Sequence, residues 1–514
     1  MTAVIEAPAA APRTGRRRRP GTDARIVSAL LAIVLTVQAW NITGYPGLSD
    51  DEGTYLSQAW AVRSGLGLAP YTYWYDHPPA GWMQLALLSW LPDWLGGHPV
   101  TSYGRLIMLV VSAVNIMLLY ALARRVGLAR WSASAAVLLY GLSPLSVTMQ
   151  RQIYLDSIAV TWFLAALLLA LSARRHLWHH VAAGCCAAVA VLSKETMAMA
   201  LPAIAVALWQ GSHPSTRKFS VAGFVSALLM FCCLYPLYAT LKGELFSGPG
   251  HVSLLGAIQF QLSGRTGSGS VFTSGSDANR LLGAWLYSDG VLLFAGLAAT
   301  VIAAGLACTH RFRPLLVPAV AGGMLTLVAL RPGGYLPAMY VLQVLPFFAL
   351  LTAGVVQAAV DGVLARRSAF RWVALGCCAL ATAAFVLPRW YAGDRRALTT
   401  DANAPYAAAA EWIRHDVPDP AHTTVVLDDA LWLDAVEAGF RPGTGAIWFY
   451  KLDPDPAVSN VIRSWRDVRY LVSSPILRLS VARLPTASGV LAHSRVIETF
   501  GSGDNRVEIR QVVQ

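Results

Sequence analysis

Charge is scarce in this sequence. Asp, Glu, Lys and Arg make up 13% of the 514 residues, about half the share found in soluble domains. With 55% hydrophobic residues, the chain reads as a membrane protein, and the question becomes how often it crosses. Cysteine is absent from every loop. Cys185, Cys186, Cys232, Cys233, Cys308, Cys377 and Cys378 all fall inside apolar runs, which excludes a disulfide framework and thiol chemistry. The net charge is +12, yet no basic face or aromatic reading platform accompanies it, so a nucleic-acid partner is excluded. The basic N-terminal tail is followed by an apolar run too long for a signal peptide and without a small-residue cleavage site. It reads instead as an anchor for the first helix. No internal repeat with interrupted helices relates the two halves, which argues against a transporter or lipid flippase, the alternative reading of a charged cavity.

What is present is a succession of apolar runs of spanning length. They fall near 25–44, 104–123, 131–149, 156–173, 180–194, 196–210, 219–240, 286–308, 314–330, 336–357 and 370–388. This predicts an α-helical polytopic membrane protein with about eleven transmembrane helices. Cationic clusters mark every second connection: Arg16 to Arg19, Arg124 and Arg125, Arg174 and Arg175, Arg217 and Lys218, Arg311 and Arg313, and Arg366, Arg367 and Arg371. Strict alternation puts all of them on one side, and the positive-inside rule makes that side cytoplasmic. The expected organisation is a disordered basic cytoplasmic tail over 1–24 and a transmembrane module over 25–388. The first extracytoplasmic loop would cover 45–103, and a soluble extracytoplasmic unit 389–514. The expected location is the cell membrane, with the N-terminus cytoplasmic and the C-terminal domain outside.

The opposite side collects the unusual residues. The first loop carries "YPGLSDDEGTYLSQAW", with Asp50, Asp51 and Glu52 in a row, and "YTYWYDHPPAGW", with Asp76 and His77. Other outward turns carry Arg151 and Asp156 in "MQRQIYLDS", Lys194 and Glu195 in "SKET", and Arg331, Tyr335 and Tyr340 in "RPGGYLPAMY". Charges at the ends of apolar helices are costly unless they meet partners or water. A shared polar cavity satisfies acids and bases arriving from separate turns. Lys242, Glu244, Asp277 and Arg280 in the long Gly/Ser-rich loop read as surface charges. The segments around Trp60, Trp82, Trp90 and Trp94 read as interfacial helices, separated by "HPP", which holds His77 in an extended stretch. If a helix starts at the acidic run, Asp50 or Asp51 is a candidate cap.

"DDEGTYLSQAW" and "YWYDHPPAGW", then "YLDS", "LSKET" and "GGYLPAMYVLQVLPFFALL", resemble the polyprenyl-phosphate-sugar-dependent glycosyltransferases of the GT-C superfamily. The nearest types are the protein O-mannosyltransferases and the lipid A aminoarabinose transferases, and the resemblance covers about residues 25–390. It implies a sugar moved from a polyprenyl-phosphate donor to a lipid, glycan or protein acceptor, through a hydroxyl or phosphate, with inversion. The family's acidic pair falls on Asp51 and Glu52, with Asp51 as general base, and its second acidic position on Asp76. His77, Lys194, Arg331 and Arg151 fall among the groups expected near the donor phosphate, and Asp156, Glu195, Tyr335 and Tyr340 among those expected near substrate. Asp50 has no clear counterpart. No metal or other cofactor is required by this scheme, although Asp50, Asp51, Glu52 and His77 are groups able to bind a divalent ion.

After Pro388 charges and prolines rise and apolar runs shorten. "TTVVLDD", "GAIWFY", "VRYLVSS", "SRVIETFG" and "RVEIRQVV" predict strands, and 405–415, 429–438 and 456–466 predict helices. The expectation is a small α/β domain. Asp428 and Asp429 read as a strand-to-helix turn and cap.

Overall fold

The computed structural model describes residues 21–69, 71–331, 334–365 and 370–513. Residues 1–20, and with them Arg16 to Arg19, lie outside this set, as do Arg366 and Arg367. The protein is a polytopic bundle of apolar helices capped by one mixed sheet. Seven described helices are long and apolar enough to cross a membrane. An eighth crossing results if Arg130–Leu142 and Pro144–Arg151 form one span, bent by 62° at Ser143–Pro144. The three other expected spans correspond to shorter helices, Leu155–Ala170, Leu177–Ser193 and Leu201–Gly211, packed among their neighbours. The first helix, α1 (Thr22–Ala39), takes up residues 22–24 of the expected tail.

The acidic run begins α2 (Asp50–Arg63). Neither Asp50 nor Asp51 is the cap. Ser49 is the N-cap and forms a reciprocal capping box with Glu52, so three acids fill the first turn. That is where a helix tolerates negative charge best. Glu52 is fully buried and doubly bonded to buried Arg105, through Nε–Oε1 and Nη2–Oε2 contacts of 2.8 Å each. The remaining Arg105 donors reach the carbonyls of Ile42, Pro46 and Gly47, and Glu52 also accepts from the Ile153 amide at 3.1 Å. Arg105 thereby fastens the approach to α2 onto the bundle.

The C-terminal unit contains all five expected strands: β1 (Val425–Leu427), β2 (Ala446–Trp448), β3 (Tyr470–Ser473), β4 (Ser494–Phe500) and β5 (Val507–Val512). Their order is β2-β1-β3-β5-β4, parallel across β2, β1 and β3 and antiparallel at β5 and β4. The expected helix over 456–466 is instead two short turns, Pro456–Ser459 and Trp465–Asp467. The boundary at residue 388 also moves, because the helix Arg371–Thr399 continues through Pro388. The change in composition there marks new surroundings, not the end of a helix.

This sheet is not a free-standing lid. One of its faces shares an apolar core with the first loop, where Tyr55, Leu56 and Trp82 join Leu427, Trp432 and Trp448. The other face packs on its own short helices through Val426, Ile447 and Leu471. Segment 50–63 is therefore buried between bundle and sheet instead of lying in the interface, and Trp82 is buried with it. Trp90 and Trp94 stay exposed, as expected of interfacial residues. At Gly53 α2 and the sheet domain approach closely: a Cβ there would lie 2.2 Å from the Asp429 carbonyl. Lys242 and Glu244 are not plain surface charges. They pair at 3.0 Å, and Tyr75 donates to Glu244, tying the long loop to the first one.

The Glu52–Arg105 pair generates a stability prediction. Removing one partner leaves a buried charge uncompensated, at a cost of about 3–5 kcal/mol. Glu52→Ala or Arg105→Ala should sharply reduce the yield and melting temperature of purified protein. Asp50→Asn, in the same turn but exposed, should change stability by no more than about 0.5 kcal/mol. An unaltered melting temperature for Glu52→Ala would show that the pair carries no such weight.

Candidate active site

Two adjoining cavities of about 260 and 210 Å³ open beside the first turn of α2. Both are lined by Asp50, Asp51, His77, Gln261 and Arg265. Beyond that common wall they differ in charge. The smaller adds Lys194, Glu195, Arg331, Tyr335 and Tyr340 and is the basic cavity. The larger adds Asp76, Thr54, Gln58, Trp74 and three residues of the sheet domain, Asp429, Trp448 and Tyr450, and is the acidic cavity.

Asp51 stands where the two meet. Tyr55, one turn along α2, donates to its Oδ1 at 3.3 Å. Burial and then the neighbouring Asp50 carboxylate push the Asp51 carboxyl up to about 6, against the pull of Lys194, His77 and Arg265. A carboxylate in that range is an effective proton acceptor near neutrality.

His77 lies in a bend just before the Pro78–Pro79 pair and bridges two charged groups. Its Nδ1 lies 3.0 Å from Glu195 Oε2, and Lys194 Nζ donates to its Nε2 at 3.0 Å. In this arrangement Nδ1 carries the ring proton. Burial lowers the imidazole pKa, but the Glu195 carboxylate outweighs it and the net direction is upward. Lys194 is 1% exposed, with its ammonium 3.7 Å from Asp156 Oδ2 and above the Tyr340 ring at 5.8 Å. Arg265 lies flat on Tyr335, its guanidinium carbon 3.6 Å from the ring centre.

Seven of the sequence-predicted site residues therefore line the basic cavity: Asp51, His77, Lys194, Glu195, Arg331, Tyr335 and Tyr340. Asp76 lines the acidic one, where Gln58 donates to it at 3.4 Å. Three others do not reach either cavity. Glu52 is committed to Arg105, as described above. Arg151 is buried elsewhere and donates to the carbonyls of Val37 and Ala397, joining α1 to the end of the helix Arg371–Thr399. Asp156 sits behind Lys194, where Gln343 also donates to it, so it orients the lysine instead of meeting substrate.

Sequence reasoning missed Arg265, Arg105, Thr54, Trp448 and Tyr450, and it placed Asp429 in its turn without foreseeing that it also lines a cavity. Arg265 had one signal, as the single cation in the Gly/Ser stretch "QLSGRTGSGS". Asp428 is the turn cap foreseen, accepting from Leu431 N at 3.2 Å. Asp429 is not needed for the cap and lines the acidic cavity. Among the described residues, no three His, Cys, Asp or Glu side chains converge as a metal-binding group. A larger groove of about 840 Å³ runs between the segments Asp277–Leu306 and Arg371–Thr399, with Phe294, Phe385, Arg389 and Arg396 on its walls. None of the residues of the two cavities lines it.

Residues 76–238 match the family model described as dolichyl-phosphate-mannose-protein mannosyltransferase. Among solved structures, ArnT from Cupriavidus metallidurans bound to undecaprenyl phosphate is similar at 17% identity and a TM-score of 0.56, over 95% of this chain and 97% of that one. The oligosaccharyltransferase of Archaeoglobus fulgidus in its apo form is similar at 16% identity and a TM-score of 0.56, over 89% and 70%. The archaeal oligosaccharyltransferase AglB from Archaeoglobus fulgidus, in complex with an inhibitory peptide and a dolichol-phosphate, gives 16% and 0.53 over 88% and 70%. No curated protein sequence matches the chain. The chain therefore shares the fold of these proteins along most of its length, and its sequence matches the mannosyltransferase family model over residues 76–238.

Proposed function

We propose that the protein transfers a sugar from a polyprenyl-phosphate donor to an acceptor hydroxyl, with Asp51 as general base and inversion at the anomeric carbon. The observation that carries this reading is the position of Asp51 on the wall between a basic and an acidic cavity. The basic cavity has the charge to receive a phosphate. Buried Lys194 and half-buried Arg331 and Arg265 converge there, and charge-assisted hydrogen bonds from such cations bind phosphate oxygens strongly. Undecaprenyl phosphate and dolichol-phosphate in the ArnT and AglB structures are the corresponding ligands of those proteins.

The steps then follow from proton and charge. An acceptor hydroxyl enters from the acidic cavity and gives its proton to Asp51 as its oxygen attacks the anomeric carbon. The bond from that carbon to the phosphate oxygen breaks, and its electron pair leaves with the polyprenyl phosphate. The charge developing on that phosphate is met by Lys194, Arg265 and Arg331. A single displacement inverts the centre. His77 and Asp156 act through Lys194, holding its ammonium toward the cavity. Side-chain cations serve the leaving group in this scheme, and it calls for no metal. The cationic connections give the orientation: N-terminus cytoplasmic, with the sheet domain and both cavities on the outer face.

Asp51→Asn is the direct test of the base. The protein should keep its melting temperature and its affinity for undecaprenyl phosphate while transfer falls by about 10²–10⁴-fold. In the wild type the base must be ionised, and its pKa is near 6. Turnover should therefore be maximal above that pH and fall about tenfold per unit below it. Wild-type turnover in Asp51→Asn would move the base elsewhere. For the orientation, a tag near residue 5 should be shielded in intact cells and one near residue 510 accessible. Both on the same side would contradict it.

A further inference from the structure

The acidic cavity holds two polar atoms that the protein leaves unsatisfied. Asp429 is fully buried, and both of its hydrogen bonds, from Thr54 Oγ1 and from Tyr450 OH, go to Oδ2. Its Oδ1 has no partner. Gln58 is 2% exposed and spends its Nε2 on Asp76, while its Oε1 also has no partner. Both residues line this cavity. Orphaned polar atoms are rare in protein interiors because desolvation is costly, and two in one cavity point to a ligand that satisfies them.

The rest of the wall says what kind of ligand. Trp74 and Tyr450 meet edge to face with ring centres 5.8 Å apart, and Trp448 lies 5.7 Å from Tyr450. Such rings offer large, rigid apolar faces. Among the described residues that line this cavity alone there are two carboxylates, Asp76 and Asp429, and no cation. Even with Asp429 protonated, Asp50, Asp51 and Asp76 outnumber Arg265, which reaches this wall from the shared side, so an anionic ligand is unfavourable here. Burial first, and then Asp50 and Asp428, push the Asp429 carboxyl well above the usual carboxylate range. With Thr54 and Tyr450 both donating to Oδ2, Oδ1 is the oxygen left to carry the proton. Asp429 then offers a donor and Gln58 Oε1 an acceptor.

We propose that the acidic cavity is the acceptor subsite, that the sheet domain completes it through Asp429, Trp448 and Tyr450, and that its occupant is a neutral sugar residue. The C–H face of the ring rests on Trp74 and Tyr450, while its hydroxyls bond Asp429 Oδ1 and Gln58 Oε1. One further hydroxyl faces Asp51. This assignment rests on the glycosyltransferase reading above and narrows its acceptor to a glycan, in preference to a lipid phosphate or a peptide.

The test is saturation-transfer NMR on the full-length protein in nanodiscs. Undecaprenyl phosphate binding is measured first, by native mass spectrometry on the same sample. The probes are methyl glycosides of mannose, glucose, galactose and arabinose, and a Ser/Thr heptapeptide at equal concentration. We expect at least one glycoside to bind saturably and the peptide not to bind. Trp74→Ala and Asp429→Ala should each weaken that glycoside about tenfold or more. Asp429→Asn, which keeps a donor in place of Oδ1–H, should cost about threefold or less. Undecaprenyl phosphate affinity should be unchanged in all three, and Asp429→Asn should also keep the wild-type melting temperature. Should Trp74→Ala fold poorly, the contrast between Asp429→Ala and Asp429→Asn decides alone. No glycoside binding, binding of the peptide in its place, or glycoside affinity indifferent to both positions would overturn the proposal while leaving the donor reading intact. Wild-type protein that fails to bind undecaprenyl phosphate would overturn both.

Discussion

The buried pair between Glu52 and Arg105 sets the geometry of everything around the cavities. Arg105 spends all of its donors on Glu52 and on three carbonyls of the segment leading into α2. That clamp fixes where α2 starts and how its first turn is rotated. Glu52 is directed into the protein, and Asp50 and Asp51, roughly 100° apart in steps around the same turn, are left facing the cavities. Asn403 adds a second clasp, accepting from Leu48 N and donating to the carbonyls of Thr43 and Pro46. Because Gly53 has no side chain, the sheet domain closes to contact, and Asp429 reaches the wall beside Asp51. An ion pair this deeply buried is poor evidence for net stability, but it strongly specifies one arrangement.

The two cavities divide charge cleanly between them. The basic side would be unstable if its lysine stood alone, since an unpaired buried ammonium loses its proton or draws in water. Asp156 and His77 prevent this by holding Lys194 from two directions. On the acidic side the carboxylates crowd one another, and among the described residues Arg265 is the one lysine or arginine on the wall. Their remedy is protonation: Asp51 rises to about 6 and Asp429 rises well beyond the ordinary range. One group is thus left able to take a proton, and the other is left holding one. The same physical pressure, desolvation among like charges, gives two carboxylates on the wall of one cavity opposite capacities.

Much of this was legible in the sequence, and the reasons are local. Apolar run length revealed the helices, alternation of short apolar runs revealed all five strands, and "DHPP" revealed the break that presents His77. Asp51, Asp76, His77, Lys194 and Glu195 stood out because charge is so scarce that each outward acid or base demanded a use. The same reasoning overreached at Glu52, Arg151 and Asp156. They are as conspicuous as their neighbours, and only the side-chain partners show that Glu52 and Asp156 stand behind the site while Arg151 joins α1 to the helix Arg371–Thr399. Arg105 was invisible because it sits at the start of an apolar span and reads as a flank. The share of the sheet domain in the cavity was invisible for a different reason. Asp429, Trp448 and Tyr450 lie nearly four hundred residues from α2 in sequence, and ordinary strand and turn residue types carry no sign of which loop they will meet.

The central claim is that the donor phosphate is received by the basic cavity beside Asp51. The most direct measurement is a cryo-EM map of the full-length protein in nanodiscs with undecaprenyl phosphate. The phosphate should be found within hydrogen-bonding distance of Lys194, Arg265 or Arg331, with Asp51 next to it and the acidic cavity still open. Phosphate density instead in the large groove beside Arg389 and Arg396, with the basic cavity empty, would contradict it.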